Sequence, residues 1–265
     1  MPVTVKRQLR RDISVAPRTG HPLPAGELHV WQASLDWPPE VASRLFELLS
    51  DDERHRASRY RFERDRSRFI AGRAVLRMLL SRYVREPAAD LRFCYGPNQK
   101  PQLACAGPWF NLSHSGRVAL FAFSSSAEIG IDIELPTSDV SAERVAEHFF
   151  SPAEVCRLRS LPRPLQPRAF LECWTRKEAF IKARGDGLTL ALDSFTVTLG
   201  PGAPVALMHT TWSSEEPERW TLRDLSDPHG AFVAALATRG EVRHVSRYRV
   251  AEIVDNSIAS NQEDG

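Results

Sequence analysis

Lysine is scarce in this chain: of 35 basic residues only Lys6, Lys100, Lys177 and Lys182 are lysines, and arginine meets the remaining need. An ammonium is a compact point charge suited to phosphate, whereas solubility alone does not distinguish the two types, so the position of each lysine is informative. Cysteine is sparse too: Cys94, Cys105, Cys156 and Cys173 form no close pair of metal-ligand or redox spacing, which reads as reduced thiols. No apolar run reaches the roughly 20 residues that cross a bilayer. The N-terminus carries basic residues without the apolar core of a secretion signal, so a cytoplasmic protein with no membrane partner is expected. Neither sign of charge dominates, at a formal +2, but 11 arginines fall between Arg54 and Arg85 and make that region a basic surface.

What is present is an ordinary globular composition, 42% hydrophobic and 26% charged over 265 residues, enough for one large core or two smaller ones. Residues 1–26 mix arginines and prolines without periodicity and read as a mobile basic arm; residues 251–265 read as a flexible tail. From Glu27 the apolar residues do not alternate cleanly, which suggests a strand buried on both sides. Val41 to Leu49 reads as a short helix, and Ser50 with Glu53 has the form of a capping box. Phe69, Ile70, Leu76, Leu79, Leu80 and Tyr83 then keep one stripe apolar along a long helix. A shift of 101 residues brings much of this plan back: Leu48-Leu49-Ser50 matches Phe149-Phe150-Ser151, Glu53 matches Glu154, and Phe69-Ile70 matches Phe170-Leu171. Gly116 and Val118 to Phe123 are echoed by Gly230 and Ala231 to Leu236 at a slightly larger offset. The expectation is an α+β fold of two similar halves, 27–126 and 127–250. Each half is a small, mainly antiparallel sheet packed with a long helix, and the halves pair about a pseudo-twofold axis with the site in the cleft between them. Paired halves in one chain also predict a monomer.

Three stretches carry chemistry. In Glu128-Ile129-Gly130-Ile131-Asp132-Ile133-Glu134 the isoleucines alternate with Gly130, Asp132 and Glu134, so a strand here puts two carboxylates on one face. Their Cα atoms would stand about 6.5 Å apart, close enough to share one hard cation. On the helix of residues 167–184, Trp174, Glu178 and Lys182 recur every four residues along one face. Alone, that pattern reads first as a surface Glu–Lys pair, worth on the order of 0.3 kcal/mol, beside a core tryptophan. Phe110-Asn111-Leu112-Ser113-His114-Ser115-Gly116 is donor-rich and suits an anion; a serine nucleophile is the rival, but the glycine arrangement of a hydrolase elbow is absent. A nucleic-acid-binding role for the arginine-rich helix lacks the aromatic spacing of a base-stacking platform and would leave the acids unexplained. A metal-dependent phosphodiesterase shares the same metal and phosphate logic and stays open on these residues.

Gly130-Ile131-Asp132-Ile133-Glu134, followed by Trp174-Thr175-Arg176-Lys177-Glu178-Ala179-Phe180-Ile181-Lys182, resembles the signature of the 4′-phosphopantetheinyl transferases. Lys100-Pro101 and Phe110 to Ser115 are similar to further motifs of the long, single-chain, surfactin-synthetase-associated type, and the likeness covers about residues 27–250. What the resemblance implies is transfer of 4′-phosphopantetheine from coenzyme A to a serine of an apo acyl or peptidyl carrier protein, with release of 3′,5′-ADP. It implies a Mg2+ site, or Mn2+, on Asp132, Glu134 and Glu178. Lys182 would contact the coenzyme A pyrophosphate, Ser113 and His114 its phosphates, and Arg56, Lys100 and Pro101 its 3′-phosphoadenosine end. Glu154 matches the proposed base, so Glu154, Lys182 and His114 form the implied catalytic set. Glu154 is equally the N3 residue of a second capping box, opened by Ser151 with Pro152 at the first helical position.

Overall fold

Strands that are apolar on both faces can only sit between two layers, and this requirement organises the molecule. The computed structural model describes residues 23–96, 98, 100–136, 142–202 and 204–250; the arm at 1–22 and the tail at 251–265 lie outside the described residues. The first half runs β1 (Glu27–Ser34), α1 (Pro39–Glu47), α2 (Asp51–Ser58), α3 (Glu63–Ser81), β2 (Phe93–Tyr95), β3 (Pro101–Leu103), β4 (Trp109–Ser115) and β5 (Val118–Ser124). The second runs β6 (Ile129–Glu134), α4 (Ala142–Phe149), α5 (Pro152–Ser160), α6 (Gln166–Arg184), β7 (Phe195–Val197), β8 (Leu207–Thr210), β9 (Trp220–Asp224), β10 (Val233–Arg239) and β11 (His244–Arg249), with short 3-10 turns between them.

Two sheets face each other. One has the order β11-β1-β5-β4 and the other β6-β10-β9, while β2-β3 and β7-β8 form two-stranded ribbons. Leu28 and Val30 of β1, Leu120 and Ala122 of β5, Ile129, Ile131 and Ile133 of β6, and Ala234 and Leu236 of β10 pack into one core between the sheets. On the outer face of the first sheet, Trp31, Ala33, Phe121 and Phe123 meet α1 to α3. On the outer face of the second, Ala235 and Ala237 meet the core of α5 and α6. The order of layers is therefore helices, sheet, sheet, helices, and the halves share a dry interior instead of merely touching.

The paired-halves reading agrees with this structure: β5 lies between β1 and β4 as β10 lies between β6 and β9, all in antiparallel register. The turns before β5 and β10 both use a glycine with positive φ, Gly116 at 54° and Gly230 at 81°. β11 crosses back and pairs in parallel with β1, Leu28 against Val245 and Trp31 against Tyr248, and Tyr248 and Val250 complete the first core. No helix of the described residues is long and apolar enough to cross a membrane.

Helix α6 lies directly on β6. A Cβ built on Gly130 would stand 2.0 Å from the Ala179 carbonyl oxygen and 2.3 Å from the Ala183 nitrogen, so backbone meets backbone and no side chain fits between. Gly130→Ala should therefore lower stability by at least about 1–3 kcal/mol, the usual cost of overpacking. The check is a urea titration followed by circular dichroism; a midpoint equal to that of the wild type would show that the helix rides further from the strand.

Candidate active site

Because α6 is held against Gly130, the residues that follow on the same face of β6, Asp132 and Glu134, look onto the last two turns of the helix. Asp132 is buried and Glu134 half-buried. The Lys182 ammonium lies 2.6 Å from Asp132 Oδ1 and 3.1 Å from the Ser113 hydroxyl oxygen. Ser113 in turn donates to Asp132 Oδ1 at 2.8 Å. Asp132 Oδ2 is buried and has no hydrogen-bond partner among the described residues. Glu178, one turn before Lys182, is half-buried and makes no hydrogen bond or ion pair with any described residue.

The other edge of the site comes from the first half. Along β4, Asn111, Ser113 and Ser115 face β6 at every second position. Asn111 Oδ1 accepts from the Ile131 amide at 2.8 Å, and the Ser115 hydroxyl donates to Glu134 Oε2 at 2.9 Å while accepting from the Leu135 amide at 3.1 Å. These side chains replace the backbone ladder that β4 and β6 do not form, and they fix the orientation of both acids. In the sequence Asn111 and Ser115 belong to the donor-rich stretch read as suited to an anion; their bonds to β6 and the Leu135 amide that follows it were not foreseen, although a polar residue at every second position of the strand was the available signal.

The electrostatics mark an uncompensated negative site. Burial first, and then the charge of Asp132, raises the pKa of Glu134, against the Ser115 hydrogen bond and Lys182. Burial also raises that of Glu178, with Lys182 opposing and Asp132 and Glu134 reinforcing. His114, exposed at the rim, has its pKa lowered by desolvation and by the positive charges of Lys182 and Arg68, so its ring is neutral at neutral pH. Arg68 itself is held by a bidentate bond to Asp36, at 2.8 and 3.1 Å.

Carboxylates alone, one of them with an orphaned oxygen, form a donor set suited to a hard divalent cation. Among the described residues no three His, Cys, Asp or Glu side chains are gathered into a ready-made cage. Lys182 supplies the positive charge that the acids have at hand.

The remaining residues singled out in the sequence lie apart from this cluster. Arg56 is exposed on α2, its guanidinium 5.4 Å from the centre of the Phe69 ring, and it has no ion pair with any described residue. Pro101 opens β3 opposite Tyr95 and lines a cavity of about 240 Å3 with Leu103, Cys105, Trp109 and Phe110. Lys100 is half-buried, its pKa lowered by desolvation against the pull of Glu128, and its Nζ donates to the backbone carbonyls of Lys182 at 2.6 Å and Ile129 at 3.3 Å.

Glu154 is sealed in the second core at 1% exposure. Its Oε2 accepts from the Ser151 amide and pairs with Lys177 Nζ, both at 2.8 Å, and its Oε1 accepts from the Val197 amide at 2.7 Å. Lys177 also donates to the carbonyls of Leu192 and Phe195. The first half repeats the device: Glu53 accepts from the Ser50 amide and from buried Arg73 and Arg77 of α3, each at 2.6 Å. The second capping box is thus formed as the sequence spacing implies, and both Glu154 oxygens are engaged in it or in the core.

Buried carboxylates gathered together make the site a source of instability, and the sign follows from the raised pKa values. Glu134 and Glu178 bind protons more tightly folded than unfolded, so their contribution falls as pH rises through and above the ordinary carboxylate value of 4.5. Glu178→Gln should raise the melting temperature at neutral pH. Thermal melts of wild type and variant at neutral and acidic pH check this; a melting temperature unchanged at neutral pH would show that Glu178 is not repelled by its neighbours.

Comparison with known proteins places this geometry. Residues 128–237 match the 4′-phosphopantetheinyl transferase superfamily model, and residues 35–126 match the 4′-phosphopantetheinyl transferase N-terminal model. The 4′-phosphopantetheinyl transferase HetI of Nostoc sp. (strain PCC 7120) is 39% identical over 220 residues, which is 81% of this chain and 88% of the relative. The 4′-phosphopantetheinyl transferase Sfp of Bacillus subtilis (strain 168) is 37% identical over 171 residues, 63% of this chain and 74% of the relative. Both halves thus match models of one family, and a relative aligned over most of both chains bears the same name: the chain belongs to the 4′-phosphopantetheinyl transferase family of transferases.

Proposed function

We propose that the chain transfers 4′-phosphopantetheine from coenzyme A to a serine hydroxyl of an apo acyl or peptidyl carrier protein, releasing 3′,5′-ADP. The observation that carries this reading is the juxtaposition of Asp132, Glu134 and Glu178 with Lys182 at the join of the two halves, acids suited to a divalent cation beside an ammonium suited to phosphate. Asp132 through Oδ2, Glu134 and Glu178 would hold Mg2+, or Mn2+ in its place. A bound divalent ion there would offset charge on the non-bridging and leaving oxygens of the pyrophosphate.

The chain's own residues account for the rest. Lys182, already oriented by Asp132 and Ser113, neutralises phosphate charge from the helix side. Ser113 and His114 offer donors from the first half, and exposed Arg56 is free to meet the 3′-phosphate. The carrier serine oxygen attacks the β-phosphorus, the bond from that phosphorus to the oxygen bridging it to the α-phosphorus breaks, and 3′,5′-ADP leaves with the electron pair. We assign the serine proton to the imidazole of His114, which is neutral and not committed to the cation. The working unit is a monomer, because one chain supplies both walls of the cleft, and the reaction belongs to the cytoplasm. Arg68, Arg73 and Arg77 are spent on Asp36 and Glu53, which leaves the arginine-rich segment a weaker case for nucleic acid than its composition suggested.

Incubation with coenzyme A, Mg2+ and several apo carrier proteins, read by intact mass, tests the reading; no gain of a phosphopantetheine mass on any carrier would refute it. Asp132→Ala and Lys182→Ala should each cut transfer by at least about 100-fold with the fold retained by circular dichroism. With His114 as base, the rate should fall with pH only below the ordinary histidine range, and His114→Ala should remove that limb. Glu154→Gln separates the two roles of the capping residue. Breaking a buried pair should cost about 3–5 kcal/mol of stability, while transfer per folded molecule stays within a few fold of wild type. A folded Glu154→Gln protein without activity would restore Glu154 as the base.

A further inference from the structure

Lys100 is not free to meet a ligand as it stands. Its two acceptors are the carbonyl of Lys182, in the last turn of α6, and that of Ile129, the first residue of β6. The Lys182 carbonyl is one of the last four of its helix, which lack an intrahelical donor, and a cation at a helix C-terminus also meets the negative end of the dipole. Lys100 belongs to the first half, so the bond reaches across the join. The same connection makes a second hold: Asn98 Nδ2 donates to the Gly185 carbonyl at 2.7 Å, and a Cβ on Gly187 would lie 2.9 Å from Asn98 Cγ. Two side chains of one first-half loop therefore grip the end of the second-half helix that carries Glu178 and Lys182.

We infer that Lys100 is a positioning residue, clamping the last turn of α6 to the head of β6 and so setting the reach of Lys182 toward Asp132, and that it does not contact the nucleotide. This rests on the transfer reaction proposed above and gives Lys100 a different part in it from the one the resemblance implied. Gly130 lets helix and strand approach; Lys100 fixes how far the helix end slides along the strand once they have met.

Two measurements decide it. On the wild-type protein, amine acetylation read peptide by peptide by mass spectrometry should find Lys100 slow to react both alone and with saturating 3′,5′-ADP. Rapid reaction that 3′,5′-ADP suppresses would overturn the clamp in favour of nucleotide contact. In the transfer assay, Lys100→Met should lower kcat by about tenfold or more while the preference for coenzyme A over 3′-dephospho-coenzyme A stays within about twofold of wild type. Lys100→Arg, which keeps donors for both carbonyls, should recover most of the rate. Loss of that preference in Lys100→Met, or an unchanged kcat, counts against the inference. Should Lys100→Met not fold, the acetylation pattern of the wild type decides alone. Wild-type protein that transfers to no carrier, yet keeps Lys100 unreactive, would sink the transfer reading and leave the clamp standing.

Discussion

The contact between the backbone of α6 and Gly130 of β6 is the constraint on which the rest depends. A helix normally rests on a sheet through side chains, at a distance those side chains set. Here the absence of a Cβ brings the Ala179 carbonyl and the Ala183 amide down onto the strand itself. Everything chemical follows from that approach: Asp132 and Glu134 come within reach of Lys182 and Glu178 only because the helix axis is so near. The isoleucines on the opposite face of β6 anchor the strand in the core between the sheets, so it cannot retreat from the helix.

The site is thus assembled from pieces with opposite needs. Asp132 is buried, its pKa-raised neighbours repel it, and one of its oxygens has no hydrogen-bond partner among the described residues. Such a cluster persists only where its surroundings over-determine it, and the surroundings are the Asn111, Ser113 and Ser115 side chains on one edge and Lys182 on the other. Structural charges, by contrast, are fully satisfied. Glu53 and Glu154 are each capped, paired and enclosed, and the repetition of the same arrangement in both halves separates a scaffold element from a reactive one better than either residue does alone.

What could be read from the sequence was what depends on local period. The alternation around Asp132, the four-residue spacing of Trp174, Glu178 and Lys182, the two capping boxes and the shift of 101 residues are all local or self-referential patterns, and they gave the paired halves and the acidic face. Three features were out of reach for physical reasons. The acceptors of Lys100 are backbone carbonyls, which every residue has, so no residue identity announces them. The partner of Glu154 is Lys177, a residue next to Glu178 that points the other way into the core, and a charged residue at 0% exposure runs against the usual expectation for lysine. The pairing of β11 with β1 joins residues more than 200 positions apart, in parallel, with no turn between them to mark it.

That returning strand also sets the order in which the protein can be made. During synthesis β1 emerges first and β11 last, so the first sheet has an open edge throughout nearly all of translation. An uncovered edge strand is a template for pairing with other chains, and contacts this distant in sequence form late. The first half therefore waits for the end of the second before its own sheet is closed, and a cut between residues 126 and 127 would not yield two finished pieces. It would leave one piece with an exposed edge and the other with a strand that has nowhere to go.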